Sequence, residues 1–211
     1  MPSGLVRWGG WAGIIGGLLW ALFPLATVLV DLSNTQPGSL NHLAAAGVYW
    51  LMAVLPLLLL LVGLAGLRAL PSGAYGRLAN VGFLVSFLAL ALMFIGNAVE
   101  IASLTFRGTE SSVGHTMFLV GFLVLLVASV LLGIAIIRTQ RTPSSRIGGL
   151  LLVGALPLGI LLAIVLGAIA PRTDLGFWAA ITVPYGVAWM LLGYALLSGR
   201  GRAAEQPSRV R

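Results

Sequence analysis

The chain has 211 residues, 59% of them hydrophobic and only 8% charged. Soluble domains carry about 25% charged residues, so this chain cannot cover itself with polar surface in water and reads as an all-α integral membrane bundle. It has no cysteine, and its twelve basic residues are all arginine. That excludes disulfides, thiol nucleophiles, thiolate metal centres and lysine Schiff-base chemistry. The net charge of +7 sits in short arginine clusters between apolar runs. That pattern encodes membrane topology and does not point to nucleic acid.

The chain opens with a short tail carrying Arg7 and Trp8, and the first apolar run covers residues 9–30. At about 1.5 Å per residue this run crosses a hydrocarbon layer of about 30 Å. It is longer than a signal-peptide core, and Asp31-Leu32-Ser33 is no clean cleavage site, so it is read as a retained span. Residues 31–45 contain Asn34, Pro37, Gly38, Asn41 and His42 and read as a loop. The second span is 46–67, opened by the interfacial aromatics Tyr49 and Trp50. A turn follows over residues 68–77, then a third span over 78–104. Arg107 and Glu110 mark a polar loop, and the fourth span is 117–137. Residues 138–146 hold three arginines and Pro143. The fifth span, 147–170, is followed by a tight turn over 171–174 and the sixth span, 175–197. Residues 1–198 thus form a single six-helix transmembrane domain, and 199–211 a basic cytoplasmic tail without stable structure.

With the N-terminus in the cytoplasm, Arg7, Arg68, Arg77, Arg138, Arg141, Arg146, Arg200, Arg202, Arg209 and Arg211 lie inside, and only Arg107 and Arg172 lie outside. Asp31, Glu100, Glu110 and Asp174 fall outside as well. This split predicts both termini in the cytoplasm of a bacterial inner membrane, with anionic lipids drawn to the arginine-rich loops.

Lipid tails do not drive helices together as water does, so close backbone approach has to help. Gly9, Gly13, Gly17 and Ala21 form a four-residue stripe in the first span, and Ala155, Gly159, Ala163 and Gly167 form another in the fifth. Gly114, Gly121, Ala128 and Ala135 repeat every seven residues in the fourth. These stripes predict tight packing within the chain, with a homodimer seam on the first or fifth span as the alternative. Prolines at Pro24, Pro56, Pro157 and Pro184 are expected to kink spans one, two, five and six. Spans three and four have none and read as a straight central pair. Leu55-Pro56-Leu57 and Leu156-Pro157-Leu158 lie about half a chain apart. An inverted repeat produces that pattern, and so does chance in a leucine-rich chain.

The third span carries the best candidate site. Gly82, Ser86, Met93, Asn97 and Glu100 share one helical face, while Phe83, Leu84, Phe87, Leu88 and Leu92 suit lipid. Asn97 and Glu100 are three residues apart and read as neighbours. They form either a proton- or cation-binding pair facing a cavity or a polar helix end at the interface. His42 and His115 fall in or beside loops, and neither forms a metal-ligand spacing with Asp31, Glu110 or Asp174. Trp20, Tyr185 and Trp189 lie near mid-membrane, either as core or around a pocket for an apolar ligand. Thr27, Ser86, Asn97, Ser129 and Thr182 are candidate partners for their polar atoms. No nucleophile elbow, metalloprotease or P-loop signature is present.

The sequence therefore points first to a non-catalytic accessory, assembly or interaction subunit that needs no cofactor and works with a partner membrane subunit or a second copy. A small proton- or cation-coupled transporter using Glu100 and Asn97 comes second. A membrane enzyme acting on lipid at the outer face, with His115 or Glu100 as base, comes third. The topology has a direct test. Reporter fusions at residues 40 and 110 are expected to read external, and fusions at 73 and 143 cytoplasmic; a cytoplasmic signal at 110 contradicts the six-span arrangement.

Overall fold

The computed structural model describes residues 4–30, 35–70, 77–139, 142–170 and 175–204, with side chains through 198. Asp31, Arg141, Arg172, Asp174, Arg209 and Arg211, which entered the charge count, lie outside the described residues, as do residues 71–76 and 171–174 of the two turns. So do the side chains of Arg200 and Arg202. The described chain is helical: α1 Gly4–Leu29, α2 Leu40–Tyr49, α3 Leu55–Arg68, α4 Arg77–Arg107, α5 Ser112–Thr139, α6 Pro143–Val153, α7 Ala155–Ile169 and α8 Leu175–Ala204. A single π-helical turn, Trp50–Val54, joins α2 to α3, so Leu40–Arg68 runs as one helix of 29 residues. Five helices are long and apolar enough to cross a membrane, and the α6–α7 pair makes a sixth if it counts as one span.

The helix starts follow local chemistry. The Ser39 side chain accepts from the His42 backbone N–H and caps α2, and Thr142 accepts from the Ser145 N–H and caps α6, with Pro143 in the first turn. The loop expected over residues 31–45 is therefore shorter than the polar composition suggested, because Ser39 starts a helix at Leu40. α4 stops at Gly108, whose φ of +67° only glycine adopts freely, and a Cβ there would meet Pro37 at 2.6 Å. At the other end of the chain, α8 continues through Ala204, so the first residues of the expected tail are helical.

Two spans are irregular. The expected fifth span is two helices meeting at Gly154 with a bend of 67°. Pro157 lies in the first turn of α7 and has no N–H to offer the Val153 carbonyl. In the second span, Pro56 follows the π-helical turn directly and cannot donate to Met52. The two Leu-Pro-Leu segments thus each sit just after a break in helical register.

The helices close into a ring. α1 packs on α3 and α8, α8 on α6 and α7, α6 on α5, α5 on α4, and α4 on α3. Spans three and four, expected as a central pair, are one side of this ring, because α1 and α8 bury an equally extensive seam opposite them. Trp20, Leu57, Leu60, Leu90, Met93, Leu132, Trp189 and Leu192 fill the interior. Phe83, assigned to the lipid face, is buried, with the Arg68 guanidinium 5.9 Å from its ring centre. A bulky aromatic next to Gly82 can turn into the α3–α4 groove, which helical phase alone does not reveal. Leu84, Phe87 and Leu88 are exposed as expected.

Glycines set the distances. A Cβ on Gly9 would come within 2.5 Å of Gly66 on α3, and one on Gly193 within 2.5 Å of the Gly10 carbonyl on α1. Gly17 and Gly186 oppose each other across the α1–α8 seam, each with its Cβ position against the other's carbonyl oxygen. On the opposite side Gly96 meets Phe118, Gly114 meets Glu100, and Gly121 meets Ala89 and Met93. The first-span stripe is thus covered within the chain. In the fifth span, Ala155 is buried, Gly159 lies against the Ala180 carbonyl and Ala163 is half-buried, but nothing lies within 4 Å of a Cβ on Gly167. There the roles reverse: the Ala163 and Gly167 backbone lies against Gly176 of α8, while the Gly167 Cβ position faces open space.

Substitution separates these positions. Gly159→Leu must push α8 away and is expected to lower stability by about 1–3 kcal/mol. Gly167→Ala should be neutral or stabilising by up to about 1 kcal/mol, as for any unhindered helical glycine. Thermal unfolding in detergent measures both; equal midpoints for the two variants contradict the seam.

Candidate functional site

The polar side chains of α4 are held by different neighbours. Asn97 is half-buried, and its side-chain amide donates to the Ala53 carbonyl at 3.0 Å. Ala53 belongs to the π-helical turn, where the hydrogen-bond register slips from four residues to five. Asn97 therefore ties α4 to the irregular part of the second span. Glu100, one turn further on, faces α5: His115 Nδ1 lies 3.1 Å from its Oε1. The expected Asn97–Glu100 pair is thus divided between two helices. Three residues along a helix turn through about 300°, so two side chains can be neighbours and still reach opposite grooves.

Gly114 makes the Glu100–His115 contact feasible. A Cβ at Gly114 would lie 2.8 Å from the Glu100 backbone nitrogen, so the helices touch backbone to backbone one residue before His115. His115 sits in the first turn of α5, where Ser111 Oγ accepts from the Gly114 N–H. The pair lies at the rim, with His115 half exposed and the Glu100 side chain mostly covered. A carboxylate against an imidazole fixes the ring and leaves Nε2 to solvent. That arrangement can accept a proton, bridge two helices, or orient a general base.

His42, assigned to a loop, is in the first turn of α2 and only 1% exposed. Its Nε2 lies 3.1 Å from the Thr105 carbonyl oxygen, and its Nδ1 lies 2.9 Å from the Thr35 hydroxyl. A carbonyl only accepts, so Nε2 donates to it, and in a neutral ring Nδ1 then accepts from Thr35. This clamp holds α2 against the end of α4. The sequence signal for it was Ser39 three residues before His42, a cap that places the histidine inside a helix.

Ser86 is fully buried in the ring, and its hydroxyl has no hydrogen-bond partner. The same holds for the Tyr185 hydroxyl and the Trp189 indole N–H. Their expected partners bond to their own helices instead: Thr27 to the Pro24 carbonyl at 2.8 Å, Ser129 to Leu125 at 2.6 Å and Thr182 to Trp178 at 2.9 Å. Serine and threonine in a helix prefer this local bond, a choice that sequence spacing does not exclude. Among the described residues, no cluster of three or more histidines and carboxylates is placed to hold a metal ion.

Comparison with family models, with curated proteins and with solved structures finds no match to this chain.

The two polar contacts of α4 should differ in weight. Asn97→Ala leaves the Ala53 carbonyl without its side-chain donor and is expected to cost about 1–2 kcal/mol. Glu100→Gln alters a rim pair and should change stability by less than about 1 kcal/mol. Chemical or thermal unfolding of each variant in detergent checks this; a larger loss for Glu100→Gln contradicts it.

Proposed function

We propose that this protein is a non-catalytic multi-pass membrane subunit that assembles with, or stabilises, another membrane component. In this reading the chain crosses a bacterial cytoplasmic membrane six times, with bends at its prolines and both termini inside. The reading is carried by one observation: Asn97 and the ionisable side chains that could have formed a transport or catalytic site are engaged within the fold. Asn97 is bonded to Ala53, Glu100 to His115, and His42 to Thr35 and Thr105. The polar groups among the buried side chains inside the ring are hydroxyls and the indole N–H groups of Trp20 and Trp189, without a described carboxylate or arginine. Coupled transport needs an ionisable or ion-coordinating group near the bilayer midplane. Glu100 instead lies two turns from the end of α4.

The partner surface of this reading is α7. Beyond its bend α7 rests on α8, and Ile160, Leu161, Ile164, Val165 and Ile169 are exposed. A span this loosely held is suited to a neighbouring membrane helix or a second copy. At the cytoplasmic end, Arg68 and Asn80 flank a cleft of about 360 Å³ between α3 and α4, and the guanidinium there suits an anionic lipid headgroup.

The Glu100–His115 contact favours a second reading, an enzyme at the outer face with His115 as base and Glu100 orienting it. Complementation distinguishes the readings. Deleting the chain from its host is expected to lower the abundance of at least one other membrane protein, measured by quantitative proteomics of the membrane fraction. Glu100→Gln and His115→Ala should restore it as fully as the unaltered chain. Failure of both variants at normal expression, or a proton flux into proteoliposomes that Glu100→Gln abolishes, would overturn the subunit reading.

A further inference from the structure

The seam between α3 and α4 differs from the rest of the ring. It is far sparser than the seams that α1 makes with α3 and α8, or that α4 makes with α5. The glycines of both helices face other neighbours. Gly66 lies against Gly9 of α1, Gly63 against Trp189 and Gly13, and Gly82 and Gly96 against α5. Helices that meet without small residues stay further apart, and a cleft of about 360 Å³ opens between α3 and α4. Its lining is ordered by depth. Arg68 is the last residue of α3, and Asn80 lies in the first turn of α4. Leu64 is one turn deeper on α3, and Leu84 and Phe87 are one and two turns deeper on α4. At about 1.5 Å per residue, these apolar walls continue roughly 6–10 Å below the polar mouth. Among the described residues Arg68 forms no ion pair. Its guanidinium stands 5.9 Å from the centre of the buried Phe83 ring, and no carboxylate lines the cleft.

We propose that this cleft holds one anionic glycerophospholipid with an uncharged headgroup, of the phosphatidylglycerol type. Its phosphate pairs with Arg68, Asn80 donates to a phosphate or headgroup oxygen, and an acyl chain lies along Leu64, Leu84 and Phe87. The proposal names the lipid for the cleft, and it rests on the reading of the chain as membrane-spanning, not on the identity of a partner subunit. Charge and shape select this class. A guanidinium offers two parallel N–H donors that match a phosphate. The cleft presents a cation and no anion, so a choline ammonium would find no counter-charge there. Its volume is more than twice the roughly 150 Å³ that takes up benzene, so a free phosphate would leave the apolar walls unfilled. A peptide chain lying against lipid at this depth would bring unpaired backbone groups. A phospholipid entering from the membrane surface carries its anion and its apolar chain in the order that the cleft presents them.

The test titrates the full chain in detergent micelles with dioleoylphosphatidylglycerol or dioleoylphosphatidylcholine and counts bound lipid by native mass spectrometry. Phosphatidylglycerol is expected to saturate one site about tenfold more tightly than phosphatidylcholine. Arg68→Gln should remove that preference, a loss of about tenfold, as for one charge-assisted hydrogen bond. Arg138→Gln removes another exposed arginine, in the last turn of α5 and outside the cleft, and should change neither affinity. Ala65→Phe narrows the apolar wall and should weaken both lipids, whereas a site for phosphate alone would ignore it. Equal affinity for the two lipids would overturn the proposal. So would equal losses in Arg68→Gln and Arg138→Gln, which diffuse attraction to basic residues predicts, or unaltered binding by a folded Ala65→Phe. If Ala65→Phe does not fold, the two arginine variants decide. None of these outcomes bears on the complementation that tests the subunit reading.

Discussion

The whole arrangement depends on how closely the helix backbones approach. In a bilayer, apolar side chains gain little by leaving lipid for protein, so packing distance and shape decide which helices associate. Here close contacts are made by glycine against backbone, among them Gly9 with Gly66, Gly17 with Gly186, Gly193 with the Gly10 carbonyl, and Gly114 with Glu100. These contacts lie on the seams that α1 makes with α3 and α8 and, across the ring, on the α4–α5 seam. Helices held this close place even short polar side chains within reach of a neighbour. Glu100 reaches His115 where the α4–α5 seam is this tight at Gly114.

The irregular backbone has a matching logic. Helical breaks inside a bilayer leave carbonyls that must be satisfied within the protein. In the second span the π-helical turn presents the Ala53 carbonyl, and Asn97 meets it. In the fifth span the break at Gly154 swings α7 outward and opens a pocket beside Tyr185. The breaks fall just before Leu55-Pro56-Leu57 and Leu156-Pro157-Leu158, at equivalent places in the two halves of the chain. One break is closed by a side chain and the other stands beside unfilled space.

Much of this was legible in the sequence. Hydropathy marked the apolar segments, since hydrocarbon thickness imposes a length that composition reveals. The stripes at Gly9, Gly13, Gly17, Gly114 and Gly121 marked the seams, because a missing Cβ matters wherever two helices touch. Partner identity was not legible. Asn97 and Glu100 read as a pair, but which groove each enters depends on the neighbouring helices. Phe83 read as a lipid-facing residue because the α3–α4 groove that receives it is a tertiary feature. His42 read as a loop residue because the polarity of residues 31–45 outweighed the single cap at Ser39. Nor does one proline distinguish a π-helical turn from a 67° break; the packing around Pro56 and Pro157 decides it.

The account rests on the glycine seams, and the α1–α8 seam tests it most directly. Gly17 and Gly186 face each other there, each against the other's carbonyl. Thermal unfolding of Gly17→Ala, Gly186→Ala and the double variant in detergent should show each single substitution lowering the midpoint. The double variant should lose clearly less than the sum, because one separation of α1 from α8 relieves both clashes. Unchanged midpoints in both single variants would contradict the account.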